Sequence, residues 1–219
     1  MQLPPQPNTI EETGLGFQFL MELIAKTLFQ RGQLRLTELV DDTRLAVGVL
    51  LPLLAFMRTE RMCEVSRSSE TETSTAYTLT DLGRQRAEDY LRKSQYVGAA
   101  PVTLESYVRQ VRQQSITNMQ VTREKLAQAF DGMVVKEGIL RQFGAAMNSG
   151  RAIFVYGPAG SGKTFIAEHL AKLLSGGVAI PHAIAVDNEI IQVFDPETHE
   201  PLFNEPSDRP EFDRRMACD

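Results

Sequence analysis

Eight residues in this chain have the types and spacing to hold a phosphate chain: Gly157, Pro158, Ala159, Gly160, Ser161, Gly162, Lys163 and Thr164. They fit the pattern G-x-x-x-x-G-K-[ST] at every fixed position. Glycine lets the backbone take positive φ and approach a ligand with no Cβ in the way. Such a loop can turn its N–H groups toward phosphate oxygens at the positive end of a helix dipole. The ammonium of Lys163 would reach the terminal phosphates, and the Thr164 hydroxyl is the candidate ligand for Mg²⁺. The implied cofactors are ATP and Mg²⁺.

Loop chemistry needs a strand on one side and a helix on the other. Ala152-Ile153-Phe154-Val155-Tyr156 is a short apolar run rich in β-branched and aromatic residues, which predicts a buried strand. Ile166, Ala167, Leu170, Leu173 and Leu174 follow at helical spacing. His169 lies on that helix and reads as a surface or packing residue, not a catalytic one.

Residues 1–13 contain Pro4, Pro5 and Pro7 and read as a flexible leader. A helix is expected from Leu15 to Gln30, with Phe17, Leu20, Met21, Ile24 and Leu28 on one face. A short helix follows over Glu38 to Asp42. A third spans Leu45 to Arg61, with Pro52 near its first turn. Two strands, Cys63–Arg67 and Thr75–Leu79, flank the polar loop Ser68–Ser74. A fourth helix, capped by Thr80 or Asp81, runs to Lys93. Helices, a two-stranded wing and a closing helix read as a winged helix-turn-helix domain over 14–95.

Residues 96–102 read as a linker, because Gly98 and Pro101 interrupt the helical pattern. Residues 103–219 read as a helical lead-in and the N-terminal part of a P-loop α/β nucleotide-binding domain. The fold class is thus mixed α and β. Within the last segment Ala183–Phe194 reads as a β-hairpin turning at Asp187-Asn188. The tail from Asp195 holds Pro196, Pro201, Pro206 and Pro210 among many acids and reads as extended. No structural role is expected for its last residues, Met216 to Asp219.

Bulk properties narrow the function classes. The chain has 219 residues, 42% hydrophobic and 23% charged, as in ordinary globular domains. The net charge of -5 gives no general attraction to nucleic acid or anionic membranes. Cys63 and Cys218 are the two cysteines, so a disulfide framework is not expected and a cytoplasmic setting is. No apolar run is long enough for a membrane span. Segment 14–95 carries as many acidic as basic side chains, and its third helix begins Leu45-Ala46-Val47-Gly48-Val49. DNA binding rests on phosphate neutralisation and polar base readout, so a protein partner or self-association is the favoured role there.

One ingredient of phosphoryl chemistry is not evident after the loop. Asp187 ends an apolar run, but it reads as a hairpin turn and not as a metal-binding acid. The stretch after Arg151 is also shorter than a full parallel α/β nucleotide domain, so the catalytic core reads as incomplete. His182 and His199 fit no metal-ligand spacing and read as solvated loop residues. Cys63 reads as a small core residue.

The chain resembles bacterial AAA-type ATPases that carry a winged-helix-like region before the ATPase module. The resemblance rests on Tyr77–Arg86, Tyr96–Tyr107, Asn148–Lys163 and Ile190–His199, and covers Gly14 to Arg215. It implies ATP and Mg²⁺ binding at Gly157–Thr164, with hydrolysis coupled to remodelling a partner in the complete protein. The alternative function is a winged-helix DNA-binding regulator with a nucleotide-sensing site. Such ATPases continue with a Walker B strand, sensor residues and an arginine finger, positions not found in this sequence.

Overall fold

The computed structural model describes residues 3–67, 75–115, 120–133, 135–174, 178–187, 189–200 and 212–218. It is a mixed α/β structure with small sheets. The chain forms two compact units, one of Val111–Gly177 and one of Gln2–Gln110 with Val178–Asp219.

The larger unit opens with one helical turn, α1 (Ile10–Thr13), closed by a capping box. The Thr9 hydroxyl accepts from Glu12 N, and the Glu12 carboxylate accepts from the Asn8 and Thr9 amides. Two of the four orphan N–H groups at a helix start are met this way. Helix α2 (Phe17–Arg31) then runs through the core, with Leu20, Met21, Leu23, Ile24, Ala25 and Leu28 buried. Its interior Lys26 reaches out along its stem and donates Nζ to Ser94 O at 3.1 Å. Burial lowers the Lys26 pKa, and Glu22 opposes that shift.

Strand β1 (Leu34–Arg35) leads into α3 (Leu36–Thr43), and a left-handed residue, Arg44, turns the chain into α4 (Val47–Thr59). Because α4 starts at Val47, Pro52 lies inside the helix and not near its first turn as expected. Proline lacks the N–H that would bond four residues back, so the Gly48 carbonyl loses its ladder partner. The chain continues as β2 (Cys63–Arg67), β3 (Ala76–Leu79) and α5 (Asp81–Lys93). β3 is the central strand of an antiparallel sheet of order β1-β3-β2. Thr80 caps α5, as expected: its hydroxyl accepts from Gly83 N at 3.1 Å and donates to Arg61 O at 2.6 Å. The expected wing loop, Ser68–Ser74, lies outside the described residues.

Residues 96–102 pack closely. The Tyr96 hydroxyl donates to Ala99 O at 2.6 Å, Ala100 N donates to Thr43 O at 2.7 Å, and Ala100 and Val102 are fully buried. Small side chains allow that close approach. Strand β4 (Val102–Thr103) follows, then α6 (Leu104–Gln113).

The smaller unit holds α7 (Arg123–Ala129), α8 (Glu137–Asn148) and α9 (Lys163–Leu173). Its core is modest: Val121, Leu126, Phe130 and Leu170, with Phe143 stacked on Phe130 at 6.0 Å between ring centroids. The Asn148 amide closes the cluster, accepting from Val121 N at 2.7 Å and donating to Val121 O at 3.0 Å. One expectation fails here. Ala152–Tyr156 forms no strand, and Phe154 and Tyr156 are 86% and 84% exposed. The composition is that of a strand, but among the described residues no neighbour pairs with it.

The chain then rejoins the larger unit as β5 (Ala179–Pro181), β6 (Ala183–Val186), β7 (Glu189–Gln192) and β8 (Met216–Cys218). β6 and β7 form the expected hairpin, with Asp187 at φ +53° in its turn. β6 also pairs in parallel with β4. The expectation that the last residues have no structural role is corrected: Met216–Cys218 pairs antiparallel with β5, and Asp213 and Arg215 are buried. Residues 201–211 lie outside the described residues. Among the described residues no helix is long and apolar enough to cross a membrane.

Candidate functional site

Three of the loop's glycines adopt conformations that disfavour a side chain: Gly157 (φ 156°), Gly160 (φ 76°) and Gly162 (φ 77°). Gly162 is also the N-cap of α9, and no side chain caps that helix start. The first-turn amides of Lys163, Thr164 and Phe165 are thus left for a ligand or water. The first intrahelical bond is Ile166 N to Gly162 O at 2.9 Å. A Cβ at Gly160 or Gly162 would meet no atom within 4 Å, so conformation and not crowding demands glycine there.

Side chains inside the loop fix its curve. The Ser161 hydroxyl donates to Pro158 O at 2.9 Å. Lys163 folds its ammonium back over the loop, donating to Gly157 O at 3.1 Å and Pro158 O at 2.7 Å. A cation is therefore held above the concave backbone, beside the positive end of a helix dipole. Thr164 follows on the first turn of α9 and is exposed. This arrangement suits an anion with several oxygens. For Mg²⁺ the fit is thinner. Thr164 offers one hydroxyl, and among the described residues no group of three or more His, Cys, Asp or Glu could hold a metal. Asp187 belongs to the other unit and turns a hairpin.

Beside α9 lies an open apolar groove of about 290 Å³, lined among others by Met147, Ile153, Val155, Ala167 and Leu170. His169 packs as expected: its ring lies 4.3 Å from Phe165 and 5.8 Å from Phe130, and Nδ1 meets Phe165 O at 2.7 Å.

The remaining candidates prove structural. Cys63 is buried, and burial pushes its thiol up to about 11, which keeps it protonated and unreactive. His182 is not a solvated loop residue. Its backbone N–H donates to Arg215 O at 2.9 Å, and its ring meets Phe194, which stacks in turn on His199. Burial, with repulsion from Arg44 second, pushes the His182 imidazole down to about 4. The folded state thus binds this proton more weakly than the unfolded chain, whose value is about 6.5. The stabilisation is full above about pH 6.5 and is lost as pH falls toward about 4. Urea midpoints should therefore fall more steeply across that window for the natural protein than for His182→Gln. Parallel curves for the two proteins would refute the assignment.

The residues that sequence reasoning missed are Asp213 and Arg215, a buried ion pair that fastens the end of the chain. Their local signal, a D-x-R in an acidic tail, is too common to find them. No family model matches the chain, and no curated protein or solved structure was found to be similar to it.

Proposed function

We propose that this protein binds a nucleoside triphosphate, ATP with Mg²⁺, through Gly157–Thr164. The single observation that carries the reading is the loop's geometry. Three positive-φ glycines precede an uncapped helix start, and Lys163 is held over the loop's own carbonyls. In this reading the backbone amides and Lys163 hold the phosphates, while Thr164 contributes one oxygen toward the metal. Bound Mg²⁺ would neutralise phosphate charge. We read the chain as AAA-type, with hydrolysis coupled to remodelling a protein partner in a complete ATPase.

The test is calorimetric titration with MgATP. Lys163→Ala removes a charge-assisted donor, worth roughly 1.5–3 kcal/mol. Affinity should fall on the order of ten- to a hundredfold. Thr164→Ala should lower the Mg²⁺ dependence of binding while leaving much of the metal-free affinity. Unchanged affinity in Lys163→Ala would sink the proposal.

A second reading is favoured by one observation, the antiparallel β1-β3-β2 sheet that closes a helix–strand–helix–helix–hairpin–helix order. That order suits a winged-helix regulator whose nucleotide site acts as a sensor. Its acidic and basic side chains balance, so we favour protein docking for this region over DNA. Gel shifts at about 50 mM salt, where phosphate contacts are strongest, should show no complex. A steeply salt-dependent complex would reverse the preference.

A further inference from the structure

Two side chains of the glycine-rich loop share one backbone carbonyl. Pro158 O accepts from the Lys163 ammonium at 2.7 Å and from the Ser161 hydroxyl at 2.9 Å. A carbonyl has two lone pairs, and both are used here. Lys163 also donates to Gly157 O at 3.1 Å, and that carbonyl has no other hydrogen-bond partner among the described residues. Glycine at 157 makes room for the arrangement. A Cβ there would come within 3.3 Å of Ser161 Oγ, closer than side-chain carbons usually sit.

A lysine ammonium has three donors, and the loop's own carbonyls take two of them. The loop thus competes with any anion for its own cation. A phosphate that draws on Lys163 must pull the ammonium off backbone oxygen first, and the cost depends on what that oxygen is left with. In open water a vacated carbonyl pairs with solvent. Under a bound phosphate chain the loop is covered, and an unpaired carbonyl carries its full desolvation penalty. The two carbonyls differ on this point: Pro158 O still has Ser161 when Lys163 leaves, whereas Gly157 O has nothing.

We infer that Ser161 is a positioning residue that frees Lys163 for a phosphate. On binding, the ammonium gives up Pro158 O, the Ser161 hydroxyl alone keeps that carbonyl paired, and Gly157 O remains the lysine's anchor. This rests on the phosphate-binding reading of Gly157–Thr164. The pattern G-x-x-x-x-G-K-[ST] leaves position 161 free, so it gives the hydroxyl no task of its own. Alanine at 161 leaves two poor choices. Lys163 stays on Pro158 O and meets the phosphates with fewer donors, or it leaves and strands the carbonyl. Either way binding weakens through Lys163, not through a contact between residue 161 and the ligand.

Calorimetric titration with MgATP across a double-mutant cycle tests this. Ser161→Ala should bind on the order of three- to tenfold more weakly than the natural protein, the worth of one neutral hydrogen bond. Ser161→Thr keeps the hydroxyl and should stay within about twofold. In a Lys163→Ala background the same Ser161→Ala change should cost less than about twofold, because no ammonium is left to release. Natural affinity in Ser161→Ala, beside weak binding in Lys163→Ala, would overturn this inference and leave the nucleotide reading intact. So would a Ser161→Ala loss as large without Lys163 as with it, which would place the hydroxyl on the ligand or in the shape of the loop. A Ser161→Thr variant as weak as the alanine variant would overturn it too. A natural protein that does not bind MgATP would overturn both readings.

Discussion

Replacing Arg215 with alanine should destabilise the larger unit by about 3–5 kcal/mol, the cost of leaving one partner of a buried ion pair alone. The guanidinium is 4% exposed and the Asp213 carboxylate 5%. Arg215 Nε and Nη2 donate to the two Asp213 oxygens at 2.9 and 2.8 Å. Nη1 donates to Thr13 O at 3.1 Å and Pro101 O at 3.2 Å. One side chain therefore joins three distant stretches of the chain: its own, the end of α1 and the lead into β4. Alanine would leave Asp213 charged and buried, and would unpair two carbonyls. Arg215→Lys keeps the charge but loses the planar fork, so it should fall between the natural protein and alanine. Urea denaturation followed by far-ultraviolet circular dichroism reads the loss. A destabilisation under about 1 kcal/mol would mean that water replaces the clasp without cost.

That clasp also marks where sequence reading reaches its limit. Local signals were enough for α2, because Leu20, Met21, Ile24 and Leu28 repeat at helical spacing, and the observed helix differs by only a residue or two from the expected one. One cap was equally legible: Thr80 accepts an amide of the helix it starts. The glycine-rich loop was visible because glycine at fixed positions encodes backbone conformation directly, and positive φ is found at those glycines. Arg215 gave no such signal. Its partners Thr13 and Pro101 are remote in sequence, and nothing in a D-x-R step says which carbonyls will return to it.

Ala152–Tyr156 failed for the opposite reason. A run of β-branched and aromatic residues reports that a strand fits, but not that another strand is there to receive it. Residues 96–102 show the same limit. Gly98 and Pro101 marked a linker but gave no sign of its packing: Ala100 N bonds Thr43 O at 2.7 Å and Ala100 is fully buried. Small residues serve loose linkers and close packing alike, and only the surrounding fold distinguishes the two.

The same ambiguity in glycine gives a sharp pair of outcomes: Gly83→Ala should destabilise strongly and Gly144→Ala should not. Both glycines lie in helices, α5 and α8, where alanine is intrinsically favoured by about 1 kcal/mol. At Gly144 a Cβ would make an ordinary contact with Leu126 Cδ2 at 3.7 Å. The propensity gain should survive, raising stability by roughly 0.5–1 kcal/mol. At Gly83 a Cβ would lie 1.9 Å from the Met62 carbonyl oxygen and 2.8 Å from its carbon. That carbonyl cannot simply yield. It accepts from Thr80 N at 3.1 Å, and Met62 itself is fully buried. Moving it breaks the cap of α5 and shifts the β2–β3 hairpin to which α5 is joined. Overpacking of this kind typically costs 1–3 kcal/mol, and a clash with fixed backbone belongs at about 3 kcal/mol or beyond. Thermal melts of the two variants, each against the natural protein, should therefore move in opposite directions. A Gly83→Ala melt within a degree or two of the natural protein would show that α5 can slide along the hairpin, and would remove the close packing of α5 on Met62 from the account of this unit.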